Sequence, residues 1–307
     1  MQSKVSVIIP AYNHERFIGA AIESVLNQTC QDFELIVIND GSTDRTGEIV
    51  QSYRDERIIY RAQENQDAYN TINRGLGMVS GEYVAILNSD DVYFPDRLER
   101  LVTEQRATGA QCLFTDVVPI SDDGEAFTDP AFGWNVWHQK NRTFYRKCGD
   151  LYVAFLKGNF MVTTSNLFLT AAAAEKVGKF CSLRYLHDYD YIFRVMLAYP
   201  GKVRYLAEEK LLYYRIHSGN TLSEAAIIGR EQDKAVIRQY MLAAIPDVSK
   251  PFAEAGADRL AELEQELAAV RQTLAVNGQR PGIKDLSRQL LAALLAKGRK
   301  MLGAGAR

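Results

Sequence analysis

Four short polar segments carry the side chains of this sequence that could do chemistry. One of them, NSDD, follows the apolar run Tyr83–Leu87 and ends in Asp90 and Asp91. Carboxylate oxygens at the end of a strand suit Mg²⁺ or Mn²⁺, whose coordination is usually completed by phosphate oxygens. The alternative is that the two acids cap the helix that Pro95 begins, and the segment alone leaves both interpretations open.

The other three segments each have a chemical and an ordinary interpretation. In VSVIIPAYN, Tyr12 can face a nucleobase once Pro10 has ended the strand, or the segment is a plain strand-to-helix turn. In VINDGSTDRT, Asp40 can accept the imide N–H of uracil, or it forms a turn that caps the next helix. In YLHDYDYIFRV, Asp188 can be a general base just outside a helix. Asp190 fits a first-turn acid that the helix dipole favours.

The elements that must position these segments alternate between strand and helix. Short apolar runs predict strands at 5–9, 33–38, 58–61, 83–87 and 112–117. Amphipathic spacing predicts helices between them at 16–27, 46–53, 71–79 and 97–108. This order predicts an α/β fold with a Rossmann-like, mostly parallel, doubly wound sheet. Such sheets bind ligands beyond the carboxyl ends of their strands, where three of the four segments fall.

The remainder of the chain divides into three parts. Residues 121–160 have little periodicity and predict a long loop or insertion beside the site. The next predicted elements are a strand at 166–170, helices at 171–177 and 190–198, and a strand at 210–214. From residue 225 the pattern becomes helical. We therefore place the main domain at 1–224 and a helical C-terminal extension at 225–307.

Two segments of the extension suggest contacts of their own. Residues 258–276 carry leucines and a valine at coiled-coil-like spacing, which predicts either packing on the main domain or a homo-oligomer. Residues 283–302 form a basic amphipathic helix. Such a helix predicts peripheral contact with an anionic membrane surface.

Composition argues against several classes of protein. The net charge of −2 over 307 residues does not suit an electrostatic binder of nucleic acid. The four cysteines form no C-x-x-C pair, which argues against a zinc site or a disulfide framework and favours a reducing compartment. We recognise no signal peptide and no run near the roughly 20 apolar residues of a membrane span. We therefore expect a cytoplasmic protein, peripheral at most on the inner face of the membrane.

Taken together and in this order, the four segments resemble the family 2 glycosyltransferases, which have the GT-A fold. The resemblance covers about residues 3–222 and includes the late segment YYRIHSGNTLS. It implies a nucleotide-sugar-binding half at 1–118, an acceptor-side half at 119–224, and Asp188 as the catalytic base. It implies Mg²⁺ or Mn²⁺ on Asp90, with His217 either beside the ion or at the surface. The implied nucleotide-binding residues are Pro10, Ala11, Tyr12, Asn13, Asp40, Asn73, Asn88, Ser89 and Asp90.

Three positions depart from the pattern of many relatives. Asn39-Asp40 stands in place of two acids, and Ile72-Asn73 in place of an Arg-Asn pair. A cationic contact to the nucleotide is then either absent or supplied by Arg74 or another arginine. Asn88 stands where the D-x-D element has its first acid. Its amide can bond a ribose hydroxyl but adds no charge, so we expect weaker metal affinity without nucleotide.

The resemblance implies an inverting glycosyltransferase. Its donor would be a nucleotide sugar, and a UDP-sugar is the donor we favour. Its acceptor would be a hydroxyl of a glycan or of a lipid-linked molecule in bacterial surface polysaccharide synthesis. A nucleotidyltransferase shares the doubly wound fold but needs a glycine-rich, basic loop where this chain has residues 11–14, AYNH. A non-catalytic sugar-nucleotide-binding scaffold remains the third interpretation, although the presence of both Asp90 and Asp188 argues against it.

Overall fold

The structure, a computed structural model, describes residues 5–183, 185–217 and 233–276. The chain divides into two compact units, Met1–Met241 and Leu242–Arg307. The predicted boundary between residues 224 and 225 lies outside the described residues.

Strand and helix alternate through the first half of the first unit, as the apolar periodicity predicts. The strands are β1 (Val5–Ala11), β2 (Phe33–Asp40), β3 (Ile58–Gln63), β4 (Tyr83–Ile86), β5 (Val92–Tyr93) and β6 (Cys112–Ile120). The helices are α1 (Ile18–Leu26), α2 (Thr46–Ser52), α3 (Asp67–Leu76) and α4 (Arg97–Thr108). The two-residue strand β5 is the element of this half that the sequence reading missed.

The second half of the unit adds two strands and five helices among the described residues. The strands are β7 (Phe168–Thr170) and β8 (Val203–Arg215). The helices are α5 (Gly133–Cys148), α6 (Leu151–Lys157), α7 (Ala171–Val177), α8 (His187–Ala198) and α9 at 233–243, which runs just past the boundary between the units.

All eight strands form one sheet in the order β3-β2-β1-β4-β7-β6-β8-β5. The short strands β5 and β7 run antiparallel to their neighbours, and the other pairs are parallel. The predicted mostly parallel α/β fold is therefore confirmed. Because β1, β2 and β4 run the same way, the polar segments that follow them meet at one edge of the sheet.

Helices cover both faces of the sheet, and β1, β2 and β4 are therefore buried on both sides. Alternate residues of β1 enter different cores: Ile8 packs in one with α3 and α8, and Val7 and Ile9 in the other with α1 and α4. Gly75 lets α3 approach β1 closely, since a Cβ there would lie 2.5 Å from the Ile8 side chain. This contact fixes α3, whose first turns form a wall of the site.

Of the two alternatives predicted for 121–160, a loop or an insertion, the loop is wrong, because the helices α5 and α6 occupy most of the segment. The buried residues of α5 are His138 and Asn141, so a search for periodic apolar residues does not find the helix. His138 Nε2 lies 2.5 Å from the carboxylate of Asp116 in β6, and Arg142 Nη1 lies 3.0 Å from it. A buried ion pair and a buried hydrogen bond, both to Asp116, thus attach α5 to the sheet in place of the apolar contacts that a helix ordinarily makes.

The start of α8 also differs from the prediction. The helix begins at His187 rather than at residue 190, so Asp188 lies in its first turn and not outside it. Acids in a first turn are favoured by the helix dipole, which explains why the helix extends through both Asp188 and Asp190.

The second unit contains the long helix α10 (Lys250–Val276). Leu260, Leu263, Leu267 and Val270 on it are 43–69% exposed. The predicted seam at 258–276 is thus helical as expected, and its role in self-association stays a prediction. The predicted basic helix at 283–302 lies outside the described residues. Within the described ranges, no helix is long and apolar enough to cross a membrane.

Candidate active site

A cavity of about 710 Å³ opens at the carboxyl edge of β1, β2 and β4. The structure brings eight of the nine predicted nucleotide-binding residues to its wall. They are Pro10, Ala11, Tyr12, Asn13, Asp40, Asn88, Ser89 and Asp90. The volume is that of a small-molecule site.

The ninth residue, Asn73, is not brought to the cavity. Its amide exchanges two hydrogen bonds with the main chain of Phe180, donating from Nδ2 at 2.9 Å and accepting at Oδ1 at 2.7 Å. Asn73 therefore attaches α3 to the segment before α8. Both ends of the amide are used there, and we leave Asn73 out of the proposed binding set.

The loop after β1 is tied to the loop after β2. Asn13 donates its main-chain N–H to Ser42 Oγ, and its Oδ1 accepts from the main-chain N–H of Thr43 at 2.8 Å. Tyr12 beside it is 47% exposed in the cavity wall. An exposed ring on a fixed loop offers a face on which a planar ligand can stack.

Asp40 is a buried carboxylate fixed at the wall. Its Oδ1 accepts from Gln63 Nε2 at 2.6 Å and from the main-chain N–H of Gln66 at 3.0 Å. Asp44, not Asp40, bonds the first turn of α2, where its Oδ1 accepts from the Thr46 N–H. The turn-capping alternative for Asp40 is thereby taken by another acid.

The two acids of the NSDD segment have different environments. Asp91 is fully enclosed and accepts hydrogen bonds from Ser165 Oγ at 2.6 Å, Thr163 Oγ1 at 3.1 Å and the Arg215 main chain at 2.9 Å. Burial and the neighbouring charge of Asp90 raise the pKa of Asp91 to about 8. Asp91 therefore joins three segments of chain and is largely neutral at pH 7.

Asp90 carries the negative charge of the pair. Burial acts to raise its pKa, but the hydrogen bond from His217 and the electrostatic interaction with the two neighbouring imidazoles outweigh it and hold the pKa below its usual value. His217 Nε2 lies 3.1 Å from Asp90 Oδ2. Two adjacent carboxylates thus share one charge, and it resides on the one that lines the cavity. Capping is not their role, since α4 has Asp96 as its N-cap residue.

His14, Asp90 and His217 offer ligand atoms that all lie within 4.8 Å of one another. Burial lowers the pKa of His14, which keeps its imidazole neutral and able to coordinate. Its Nδ1 lies 2.7 Å from Ser89 Oγ, a contact that orients the ring. The sequence reading named Asp90 and His217 but missed His14. The signal was present, because β1 pairs with β4 and their tips therefore meet.

The turn at 163–166 supports the cluster from below. Asn88 donates its main-chain N–H to Ser165 Oγ at 2.8 Å and its Nδ2 to Thr163 Oγ1 at 3.0 Å. The guanidinium of Arg97 is fully buried and donates to the main-chain oxygens of Ser165 and Asn166. Arg97 is thus a positioning residue that fixes the turn against the NSDD segment.

Val162 enters this turn with a strained backbone. Its φ of +80° is rare for a β-branched residue. We expect Val162→Gly to be more stable than Val162→Ala by about 1 kcal/mol in chemical denaturation, because both lose the side chain but glycine alone adopts this φ without cost. Equal stability of the two variants would show that the backbone is not strained there.

Asp188 lies behind the cavity wall. Its Oδ2 accepts from Asn159 Nδ2 at 3.1 Å and its Oδ1 from the main-chain N–H of Tyr189, and burial raises its pKa. The adjacent His187 lines the cavity itself, with Nε2 at 3.1 Å from Thr164 Oγ1. The ring nitrogen Nδ1 of His187 faces the carbonyl of Leu183 and so carries the proton. Sequence reasoning did not single out His187.

Comparison with known proteins finds glycosyltransferases similar to this chain in sequence and in fold. Residues 6–165 match the family described as Glycosyl transferase family 2. An uncharacterised glycosyltransferase of Nostoc sp. is 32% identical over 236 residues, which cover 75% of this chain and 70% of that relative. The aligned region spans 66% of the length of the matching relatives from Rickettsia typhi and Rickettsia prowazekii.

Two solved structures share the fold at low sequence identity. S. aureus TarS 1–349 in complex with UDP-GlcNAc has a TM-score of 0.60 and 19% identity, covering 80% of this chain and 69% of that chain. The mannosyltransferase PcManGT of Pyrobaculum calidifontis, in complex with GDP-Man and Mn²⁺, has a TM-score of 0.61 and 18% identity. It covers 97% of this chain and 80% of that chain.

The fold is therefore of the GT-A type. The chain belongs to glycosyl transferase family 2, which confirms the resemblance of its sequence segments.

Proposed function

We propose that the protein transfers a sugar from a nucleoside-diphosphate sugar to a hydroxyl of a glycan or lipid-linked acceptor, inverting the anomeric carbon. The observation that carries this proposal is one cavity that holds the His14–Asp90–His217 cluster together with Asp40 and the exposed ring of Tyr12. A diphosphate and a nucleoside can be bound side by side there. The setting we propose, bacterial surface polysaccharide synthesis, follows from the family resemblance.

A uridine nucleotide is the donor we favour. The fixed carboxylate of Asp40 can accept the imide N–H of uracil while Tyr12 stacks on the ring. TarS, which shares the fold, was solved with UDP-GlcNAc, and PcManGT with GDP-Man. Since a carboxylate also accepts from N1–H of guanine, both nucleotides belong in the test.

Mn²⁺ is the ion that suits the cluster best. Two of the three donor groups are imidazoles, whereas Mg²⁺ prefers oxygen ligands in strict octahedral geometry. His14, Asp90 and His217 would hold the ion, and when bound it would offset the charge on the diphosphate leaving group. PcManGT was solved with Mn²⁺.

Asp188 is the base we propose for the acceptor hydroxyl. It takes the hydroxyl proton while the acceptor oxygen attacks the anomeric carbon from the face opposite the diphosphate. The new glycosidic bond forms as the bond to the phosphate oxygen breaks, so one displacement inverts the configuration. The family resemblance supports this role, and so does the position of Asp188 beside His187, which lines the cavity, although Asp188 itself is buried behind the wall. Burial raises its pKa, which makes the carboxylate a stronger base.

A screen of UDP- and GDP-sugars with Mn²⁺ tests the proposal. The measurement is release of UDP or GDP in the presence of lipid-linked and glycan acceptors, with NMR of the product for anomeric configuration. A retained configuration would contradict the single displacement. Nucleotide binding without any turnover would instead favour the non-catalytic scaffold.

Asn88→Asp tests the departure from the D-x-D pattern. A second carboxylate beside Asp90 should tighten Mn²⁺ binding without nucleotide. The variant should also lose about 1 kcal/mol of unfolding free energy, because aspartate cannot donate to Thr163 Oγ1. Calorimetry measures the Mn²⁺ affinity, and chemical denaturation measures the free energy of unfolding. Asn88→Ala should lose the same stability without the gain in metal affinity, and a gain in both variants would contradict the explanation.

A further inference from the structure

The walls of the cavity carry more acid than base. Four aspartates line it, at positions 40, 67, 90 and 122. Among the lining residues that the structure describes, Arg16 is the one lysine or arginine. A diphosphate must be bound against this acidic lining, and Arg16 is the permanent positive charge placed to do so.

Arg16 adjoins the metal-binding cluster through aromatic contacts. It follows His14 by two residues in the loop between β1 and α1. Its guanidinium carbon lies 5.2 Å from the centroid of the Phe17 ring, and that ring lies 4.9 Å from the ring of His217. His217 in turn contacts Asp90. The guanidinium is therefore near the place where the proposed diphosphate would meet its ion.

An exposed ion pair holds Arg16 in the structure. Its Nη1 lies 3.1 Å from Asp122 Oδ2, and the two side chains are 61% and 37% exposed. Exposed pairs of this kind contribute little, because both charges remain solvated. Asp122 is fixed by its backbone, since its carbonyl and that of Ser121 each accept from Arg215 Nη1 at 2.8 Å. Arg16 is thus the partner that can be exchanged.

Arg74, the arginine first considered for a nucleotide contact, is placed elsewhere. Its Nη1 donates to the carbonyl of Ala62 and to Gln63 Oε1, and Arg74 is not among the residues that line the cavity. The structure thus moves the expected cationic contact from α3 to the loop after β1.

We propose that Arg16 binds the diphosphate of the donor, and that Asp122 holds its guanidinium at the cavity when no donor is bound. The inference rests on the proposed function. A guanidinium can present two parallel N–H groups to phosphate oxygens, and this charge-assisted pair is stronger than its solvated pair with Asp122. When the nucleoside diphosphate leaves, Asp122 takes the guanidinium back and assists release.

Two substitutions with opposite effects test the exchange. Calorimetry with Mn²⁺ compares UDP, GDP and uridine on the full chain. Arg16→Gln should weaken binding of the nucleoside diphosphate by about tenfold or more and leave uridine binding unchanged. Asp122→Asn should tighten nucleoside diphosphate binding by a few-fold, because the competitor of the phosphate is gone.

Arg45→Gln is the matched control. Arg45 forms a similar exposed pair, with Nε at 3.3 Å from Glu15 Oε2, but does not line the cavity. Arg45→Gln removes one positive charge, as Arg16→Gln does, and the Arg45→Gln protein should bind UDP as tightly as the wild type. If Arg16→Gln binds UDP as tightly as the wild type, or if its affinity for uridine falls as much as its affinity for UDP, the inference about Arg16 is wrong and the proposed function still stands. A wild-type protein that binds neither UDP nor GDP overturns the proposed function and the inference together.

Discussion

Asp188→Asn is expected to lower kcat by about 10²–10⁴-fold with little change in KM for the donor, since general bases contribute on this scale. The fold should survive the change. Asparagine can still accept from the Tyr189 N–H, and the amide of Asn159 can turn its unpartnered Oδ1 toward the new NH₂ group. Turnover within a few-fold of wild type would place the base elsewhere, and His187, which lines the cavity, would be the first alternative.

Asp190→Asn is the matched control, two residues along the same first turn. Asp190 accepts from Arg194 Nε at 2.8 Å on one oxygen and from the Tyr240 hydroxyl at 2.5 Å on the other, so both oxygens of its carboxylate are used by neighbouring side chains. Its loss should reduce the free energy of unfolding by about 1–3 kcal/mol and leave kcat close to wild type. Of these two acids in one helical turn, Asp188 should therefore affect the rate and Asp190 the stability.

The pH profile follows from the burial of Asp188. Its pKa is raised, and a base must be ionised, so kcat should fall as the pH drops through a value above the ordinary aspartate range. Stability should respond in the opposite sense. Because folding favours the protonated form, the contribution of Asp188 is present below its unfolded pKa and is lost as the pH rises through its folded pKa. Asp188→Asn should remove both dependences.

Asp90→Asn is expected to lower Mn²⁺ affinity and turnover together, by at least about 100-fold. Asp90 is the one carboxylate of the three-residue cluster that the structure describes, and its negative charge is the one the two neighbouring imidazoles face. Metal titration by calorimetry and steady-state rates give the two numbers. If the Asp90→Asn protein were fully active at saturating Mg²⁺ and did not respond to Mn²⁺, Asp90 would not be a ligand of the ion.

Asp91→Asn should behave differently from Asp90→Asn, although it makes the same replacement of a carboxylate by an amide at the next position. Its carboxyl is largely neutral at pH 7, because its pKa is raised to about 8, so Mn²⁺ affinity should change little. Both oxygens of the Asp91 carboxyl accept hydrogen bonds, and the amide nitrogen of asparagine cannot accept, so the change should cost about 1–3 kcal/mol of unfolding free energy. A loss of metal affinity equal to that of Asp90→Asn would show that both acids coordinate.

The sequence predicted the parts of the site that follow strands. Asp40 ends the buried strand β2 and Asp90 lies shortly after β4, and the parallel order of β1, β2 and β4 brings such positions together. His14 could have been found by the same reasoning, since it follows β1 by three residues. It was missed because a lone histidine in a loop has no periodicity to mark it.

Other features depend on contacts that no local pattern contains. Asn73 bonds Phe180, which is 107 residues away in the chain. The helix α5 is attached through His138 and Arg142 to Asp116, so its buried face is polar and escapes any search for apolar spacing. In each case polar side chains, and not apolar ones, join two elements, and the tertiary fold determines which residues become partners.

The hydrogen bonds of Arg97 have a consequence for ionic strength. They hold the turn below the cluster by ending on neutral oxygens in a space that solvent does not reach, so dissolved ions cannot screen them. The pair between Arg16 and Asp122 at the mouth of the cavity is exposed to those ions. Added salt therefore weakens the electrostatics of the entrance while the floor keeps its shape, and a salt-dependent loss of activity reports on ligand capture and not on the integrity of the site.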